Sequence, residues 1–190
     1  MWHKDTVEGV SVEDRLAKRI AWLTAAPRHG SLHQARRRWN HRASTGSMQT
    51  RLESGMTRYV IDATTLLHVV ANDVRISASH QIVAPNLIRS QALSLLLEAV
   101  RRGDLTEDLA LQHHEHLTEL RMRLLGDRVS RRTAWKIALE QGWETTFDAE
   151  YLAVTKLQAD ALVTVNPALA AKARDVVPLA PLEALSADQD

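Results

Sequence analysis

The stretch "ADALVTVNPALAAKA", residues 159–173, decides the fold. It starts as an apolar run typical of a buried strand, stops at Asn166 and Pro167, and continues as a helix-like run. A second stretch, "TRYVIDATTLL" at residues 57–67, has the same order and carries Asp62 at the tip of its strand. Two strand-to-helix turns, each with a polar side chain where the strand ends, indicate a site built into an α/β fold.

Strands and helices alternate from Met56 onward. Strands are predicted at residues 59–61, 80–85, 161–165 and 175–181, and helices at 63–72, 87–102, 107–125, 131–141, 145–159 and 167–173. The residues expected to begin helices are Asn86, Thr106, Ser130 and Thr145 or Thr146, and those expected to end them are Gly103, Gly126 and Gly142. Strands separated by helices imply right-handed βαβ units, so we predict a short parallel sheet flanked by helices.

The composition excludes several classes of protein. An apolar fraction of 45% over 190 residues supports a packed core, and the absence of cysteine excludes disulfides, thiolate metal sites and a thiol nucleophile. No apolar run approaches the roughly 18–20 residues that span a bilayer, and the first residues lack a secretory apolar segment. We therefore expect a soluble cytoplasmic protein without a membrane partner.

The charges divide the chain into two regions. Residues 1–55 hold ten Lys or Arg and five Asp or Glu, whereas residues 56–190 hold 14 and 18. We interpret 1–55 as a basic, partly helical or disordered N-terminal extension and 56–190 as one compact domain; Met56 could itself be a start codon. The basic arm is either a solvated tail or a contact for nucleic acid, in which case the protein would be a DNA-binding regulator.

Three polar side chains occupy positions suited to one site. Asp62 and Asn166 follow predicted strands directly, and Asp148 lies in the first turn of a helix, where free N–H groups favour an anion. Their oxygens suit a hard cation such as Mg²⁺ or Mn²⁺. Taken singly, each residue is also explained as an ordinary helix cap or first-turn acid.

Four segments occur in the order expected of a PIN domain. They are "RYVIDATTLL", "VAPNLIRSQALSLLLEAV", "AWKIALEQGWETTFDAEYLAV" and "DALVTVNPALAAKA". From Met56 to about Leu185 the chain resembles a VapC-type ribonuclease toxin of a type II toxin–antitoxin pair. The resemblance implies a PIN-like three-layer α/β/α nuclease domain in residues 56–190. It also implies a Mg²⁺-dependent endoribonuclease that cuts RNA, is silenced by a cognate antitoxin and forms a homodimer.

The resemblance assigns the acidic site to four positions. Asp62 and Asp148 keep the acids of the family and would be catalytic, whereas Gln91 and Asn166 replace acids by amides. All four would be metal ligands. Because an amide oxygen carries no charge and is not a base, the expected consequence is weaker metal binding and a weakened activity. The alternative is a non-catalytic PIN-like module that binds RNA or an antitoxin.

Other acids do not clearly restore the lost charge. Glu98 lies seven residues after Gln91, about 10 Å further along the helix, and is interpreted as a solvated acid. Glu150 points away from Asp148 on its helix, and Asp160 lies at the wrong end of its strand.

Candidate substrate contacts come from hydroxyl and basic side chains. Thr64 could donate its hydroxyl to phosphate, and Arg128 and Arg131 in "GDRVSRR" could steer RNA phosphates toward the site. A solvated helix N-terminus explains these arginines equally well. The "HHEH" cluster, residues 113–116, looks like a metal site but is interpreted as a solvated helix surface.

Overall fold

The computed structural model describes residues 56–186. The predicted extension of residues 1–55 and the last four residues lie outside this range. The elements, in chain order, are β1 (Thr57–Ile61), α1 (Ala63–Ala71), β2 (His80–Pro85), α2 (Ile88–Arg102), α3 (Glu107–Glu119), β3 (Met122–Leu125), α4 (Arg128–Gln141), α5 (Phe147–Gln158), β4 (Ala161–Val163), α6 (Pro167–Ala173), β5 (Leu179–Ala180) and a final 3₁₀ helix (Leu182–Leu185).

The five strands form one parallel sheet in the order β3-β2-β1-β4-β5. The first strand of the chain is thus its centre, and Tyr59 pairs with Ile82 of β2 on one side and Ala161 of β4 on the other. The central strands are almost continuously apolar because helices cover both faces. The predicted α/β fold with a short parallel sheet is confirmed.

Helices cover the sheet in two layers. Helices α1, α2 and α3 pack against one another, while α4 packs on α5, which contacts β1, β2 and β4. The chain steps from β1 through β2 to β3 in one direction, then crosses to β4 and continues to β5 in the other. Right-handed crossovers therefore place the first three helices on one face and the last three on the other. The strand order reverses between β1 and β4, which is where ligands bind in open parallel sheets.

One helix was predicted too long. The run 107–125 ends as a helix at Glu119, and its last four residues form the edge strand β3. Leu120 already has extended backbone angles, and Met122 pairs with Ile82 of β2. Pairing with the sheet overrides the helical pattern of the segment, because strand preference depends on the neighbouring strand more than on the residue itself.

Some predicted helix caps are confirmed and others are wrong. The hydroxyl of Thr106 accepts the Leu109 N–H at 3.3 Å, and Gly103 and Gly142 end their helices in the left-handed region. Ser130, however, is not the cap of α4. Asp127 takes that role and accepts the Ser130 N–H at 2.7 Å.

The caps predicted at Asn86 and Thr146 differ as well. Helix α2 begins after Leu87 without a side-chain cap, and the Asn86 N–H instead donates to Leu125, extending the β2–β3 ladder. Thr146 does precede α5, but its side chain makes no capping bond. Gly126 follows a strand and not a helix, and a Cβ there would lie 2.4 Å from the amide nitrogen of Asn86.

Within residues 56–186, no helix combines the length and the apolar character needed to cross a bilayer.

Candidate functional site

An open pocket of about 470 Å³ lies at the point where the strand order reverses. Its wall comes from the residues after β1, one face of α2, the start of α5 and the turn after β4. The four positions predicted from the sequence all line it: Asp62, Gln91, Asp148 and Asn166. Residues far apart in the chain are thus brought together as predicted.

Asp62 lies at the bottom of the pocket and caps α1. Only 3% of its surface is exposed, and its Oδ1 accepts the N–H of Thr65 at 3.2 Å and the Thr65 hydroxyl. Burial raises the pKa of this carboxyl, because the charged form loses its water, while the hydrogen bonds from Thr65 and Thr164 act in the opposite direction. Asp62 is therefore both the expected helix cap and a buried acid whose proton is held more tightly than usual.

Thr65 joins the ends of the two central strands. Its hydroxyl donates to Asp62 and its oxygen accepts the Val165 N–H at 3.0 Å, in the turn that follows β4. The side chain is fully buried, so these bonds replace water. Thr65 fixes Asp62 relative to the turn that carries Asn166. The neighbouring Thr64, predicted as a substrate contact, lines the pocket.

Gln91 is held by a tyrosine that the sequence did not suggest. The hydroxyl of Tyr151, on α5, donates to Gln91 Oε1 at 2.6 Å. Burial and the nearby charge of Asp62 raise the pKa of Tyr151. The phenol therefore keeps its proton and acts as a donor. The signal for it was its position three residues after Asp148, which places both on one side of α5.

Asp148 is paired with a lysine from α6. Its Oδ2 lies 2.5 Å from Nζ of Lys172, and the same ammonium lies 5.0 Å from the ring centroid of Trp143. Both partners of the ion pair are partly exposed, at 42% for the lysine and 35% for the aspartate side chain. The Lys172 ammonium thus offsets the charge of one acid of the pocket.

Asn166 has the role of a helix cap. Its Oδ1 accepts the N–H groups of Ala168 and Leu169 at 3.0 and 3.4 Å, and Pro167 occupies the first position of α6. An asparagine is among the best residues for this position. The amide nitrogen is left as the group that Asn166 can offer as a donor to a ligand in the pocket.

A divalent cation in this site would have few negatively charged ligands. Each of the four predicted ligands already accepts a hydrogen bond through one oxygen. Carboxylates have further lone pairs and are hard ligands that suit Mg²⁺ or Mn²⁺. Within residues 56–186, no three His, Cys, Asp or Glu side chains lie close enough to hold a metal by themselves. Asp62 and Asp148 would therefore hold the ion, with amide oxygens or water completing its shell.

Glu98 lies nearer the site than its sequence position suggested. It lines the pocket with Gln91 and Ser94 because these residues, at i, i+3 and i+7, share one face of α2. Its carboxylate is 59% exposed and lies 3.7 Å from Arg102. Glu98 is both a solvated acid, as interpreted, and the third carboxylate on the pocket wall.

The predicted arginines lie outside the pocket. Neither Arg128 nor Arg131 lines it, and both are exposed on α4. Arg131 faces Glu150, whose pKa is raised by burial and lowered in part by that arginine. Asp160 accepts the N–H of Arg58 at 2.8 Å, before β4 begins, and so takes no part in the site.

The interpretation of "HHEH" as a solvated surface is wrong for one residue. His113 is buried, with 6% of its surface exposed, because it lies on the inner side of α3 with Ala110 and Leu117. His116 is exposed.

Comparison with known proteins gives information on the fold but not on the function. Neither protein-family models nor curated proteins gave a match to this sequence. Among solved structures, the chain is similar to the crystal structure of PAE2754 from Pyrobaculum aerophilum, with a TM-score of 0.54 and 25% sequence identity. The similarity covers 68% of this chain and 94% of that chain. It supports the α/β fold described above.

Proposed function

We propose that the protein is a metal-dependent endoribonuclease of the PIN type, similar to VapC toxins, with a weakened acidic site. The observation that carries the proposal is the meeting of Asp62, Gln91, Asp148 and Asn166 in one pocket where the strand order reverses. These are the positions to which the resemblance assigns the acids of a PIN nuclease.

The residues of the pocket have distinct roles in this proposal. When bound, Mg²⁺ or Mn²⁺ would polarise a phosphate oxygen and lower the pKa of a water molecule. Asp62 and Asp148 supply the charge that holds the ion, and Asp62 is fixed in place by Thr65. Thr64 offers its hydroxyl, and Asn166 its amide N–H groups, to the RNA phosphate.

The activity is expected to be low. Gln91 and Asn166 bring no charge, and Lys172 neutralises Asp148 until a stronger cation competes for it. Fewer negative charges mean weaker binding of a divalent ion. We therefore expect RNA cleavage to need a higher concentration of Mn²⁺ than a site with four acids would need.

A second candidate function is a non-catalytic PIN-like module that binds RNA or an antitoxin. It is favoured by the hydrogen bonds that engage an oxygen of all four predicted ligands. A polar site completed by its own donors is stable without a metal. The same pocket could then bind phosphate through amide and hydroxyl donors without turnover.

The partners follow from the resemblance and remain part of the proposal. A cognate antitoxin and a second copy of the chain need an apolar contact surface. On α2, next to the pocket, Leu93 and Leu97 are 48% and 52% exposed and lie four residues apart on one face. The proposed site of action is the cytoplasm.

The deciding experiment is RNA cleavage as a function of Mn²⁺ and Mg²⁺ concentration, with wild type and Asp62→Asn. We expect metal-dependent cleavage that the substitution abolishes. The matched control is Asp108→Asn, an exposed acid in the first turn of α3, which should leave cleavage unchanged. Absence of cleavage at every metal concentration, together with RNA retention by Asp62→Asn, would instead establish the non-catalytic module.

A further inference from the structure

Helix α4 leaves a large aromatic side chain in water. Trp135 is 60% exposed and Leu139, one turn later, is 67% exposed, whereas Ala134, Ile137 and Ala138 are buried. Helix α4 therefore packs against the rest of the domain through the face that carries Ala134, Ile137 and Ala138, and Trp135 lies on a different face. Exposing a tryptophan forgoes the largest apolar burial that a side chain offers, so this face differs from an ordinary solvated helix surface.

The same face is strongly basic. Four exposed cations lie within the first nine residues of α4: Arg128, Arg131, Arg132 and Lys136. Among residues 56–186, no carboxylate forms an ion pair with any of them. Three of the four lie near the helix N-terminus, where the helix dipole disfavours positive charge. The helix dipole thus opposes this placement, although Glu150 offsets part of the charge of Arg131. A bound polyanion would make the placement favourable.

Arg131 and Arg132 are exposed on the same helix as Trp135, one turn before it. Arg131 and Arg132 precede Trp135 by four and three residues, and a helical side chain leans toward the preceding turn. Helix geometry therefore directs the Trp135 side chain toward the turn that carries both arginines. By contrast, Trp143 is half-buried and Lys172 covers its ring at 5.0 Å. The Trp135 ring is the one left for a ligand among the two tryptophans of residues 56–186.

A ligand for this face needs flat apolar groups and regularly spaced negative charges. Single-stranded RNA supplies both, since each base can stack on an aromatic ring while its phosphate contacts a cation. A duplex hides its bases, so only the phosphates would remain for contact. An apolar protein partner would offer no negative charge to the four cations.

We propose that the face formed by Arg131, Arg132, Trp135, Lys136 and Leu139 binds single-stranded RNA, with a base stacked on Trp135. This inference rests on the proposal that RNA is the substrate, and it adds a binding surface outside the pocket. Helix α4 begins directly after β3, at the edge of the sheet on which the pocket opens. Arg131 faces Glu150 in the first turn of α5, the turn that also carries Asp148.

The test measures binding and not cleavage. Fluorescence anisotropy of a labelled single-stranded RNA is recorded in EDTA with the full chain, for wild type, Trp135→Ala and Trp135→Phe. We expect Trp135→Ala to weaken binding by about tenfold, as loss of one stacked base does, and Trp135→Phe to retain most of the affinity. We expect Arg131→Ala and Arg132→Ala to weaken binding of every RNA sequence to a similar extent. Each should also reduce the slope of log K against log salt concentration by about one.

A matched control is Leu111→Ala, an exposed apolar residue on α3, at 54% exposure. Equal binding by Trp135→Ala and wild type overturns the inference, as does an equal loss in Leu111→Ala. A wild-type dimer that Trp135→Ala dissociates, without a change in RNA affinity, would identify the face as a contact between copies and likewise overturn it. Because EDTA prevents metal-dependent cleavage, the result is independent of whether the pocket is a nuclease site.

Discussion

The ammonium of Lys172 lies 2.5 Å from Oδ2 of Asp148 and joins α6 to the first turn of α5 beside the pocket. In a metal-dependent nuclease, a divalent ion would have to share or take over this carboxylate. The lysine is partly exposed and rests against Trp143, so its position is set by two contacts and not by burial. In the proposed nuclease, the Lys172 ammonium would therefore compete with the metal for the carboxylate of Asp148.

Replacement of this lysine should increase metal affinity. Lys172→Met removes the competing charge and keeps most of the apolar contact with Trp143. We expect Mn²⁺ to bind about two- to fivefold more tightly, the range that a partly exposed ion pair represents. Isothermal titration calorimetry measures this directly. Lys156→Met, an exposed lysine in the last turn of α5, is the control. An unchanged Mn²⁺ affinity would show that Asp148 does not bind the metal.

Restoring the missing acids should strengthen the site further. Asn166→Asp keeps an N-cap for α6, and Gln91→Glu keeps an acceptor for the Tyr151 hydroxyl. Each should raise Mn²⁺ affinity about tenfold or more, because a unit charge some 5 Å from a divalent ion is worth that much even in water. Metal titrations of RNA cleavage and of binding should shift together. If neither variant changes the metal dependence, the pocket is not a nuclease site.

Asp62→Asn should stabilise the metal-free protein at neutral pH. The folded-state pKa of Asp62 is raised, so between its ordinary and its raised pKa the folded chain binds more protons than the unfolded chain. The free energy of unfolding consequently falls as pH rises through that interval. The substituted asparagine has no charge to bury and still caps α1.

Thermal unfolding in EDTA from about pH 4 to about pH 8 checks this sign. The variant should melt a few degrees above wild type at the upper end, and the difference should shrink toward acid. Asp62→Ala, which lacks the cap, should lose about 1 kcal/mol relative to Asp62→Asn. A variant that is less stable than wild type at neutral pH would mean that the carboxylate is stabilised by its donors more than burial destabilises it.

Tyr151→Phe should destabilise the fold through Gln91. The variant removes the hydroxyl that donates to Gln91 Oε1 and leaves that half-buried acceptor without this donor. The expected loss is about 1 kcal/mol in the free energy of unfolding, from urea titrations. A double-mutant cycle with Gln91→Ala isolates the pair, and additive effects of the two substitutions would show that the bond contributes nothing.

The positions of the candidate site residues could be predicted, because two of them end strands. Asp62 and Asn166 follow apolar runs, and parallel strands present their carboxyl ends at one edge of the sheet. Asp148 was proposed from its place in the first turn of a helix and Gln91 through the resemblance, and both line the pocket. The N-cap roles of Asp62 and Asn166 could also be predicted, since both residue types favour that position.

Other features depend on contacts between distant parts of the chain, which a local sequence pattern does not predict. The segment after Glu119 becomes β3 because β2 offers an edge to pair with. Lys172 meets Asp148, and Tyr151 meets Gln91, across 24 and 60 residues of chain. The sequence left open whether Arg128 and Arg131 steer RNA to the site or lie on a solvated helix N-terminus. In the structure both are exposed and neither lines the pocket.

The central position of β1 in the sheet also determines at which stage of synthesis the pocket can form. Thr65 and Val165, whose hydrogen bond ties the two strand tips together, are 100 residues apart. During synthesis, one side of β1 and the Asp62 turn must wait for β4 before they are complete. Long-range parallel pairing of this kind is slow and leaves strand edges open. The first hundred residues after Thr65 must therefore leave the ribosome before the pocket can form, so any ligand of the pocket binds only after β4 has been synthesised.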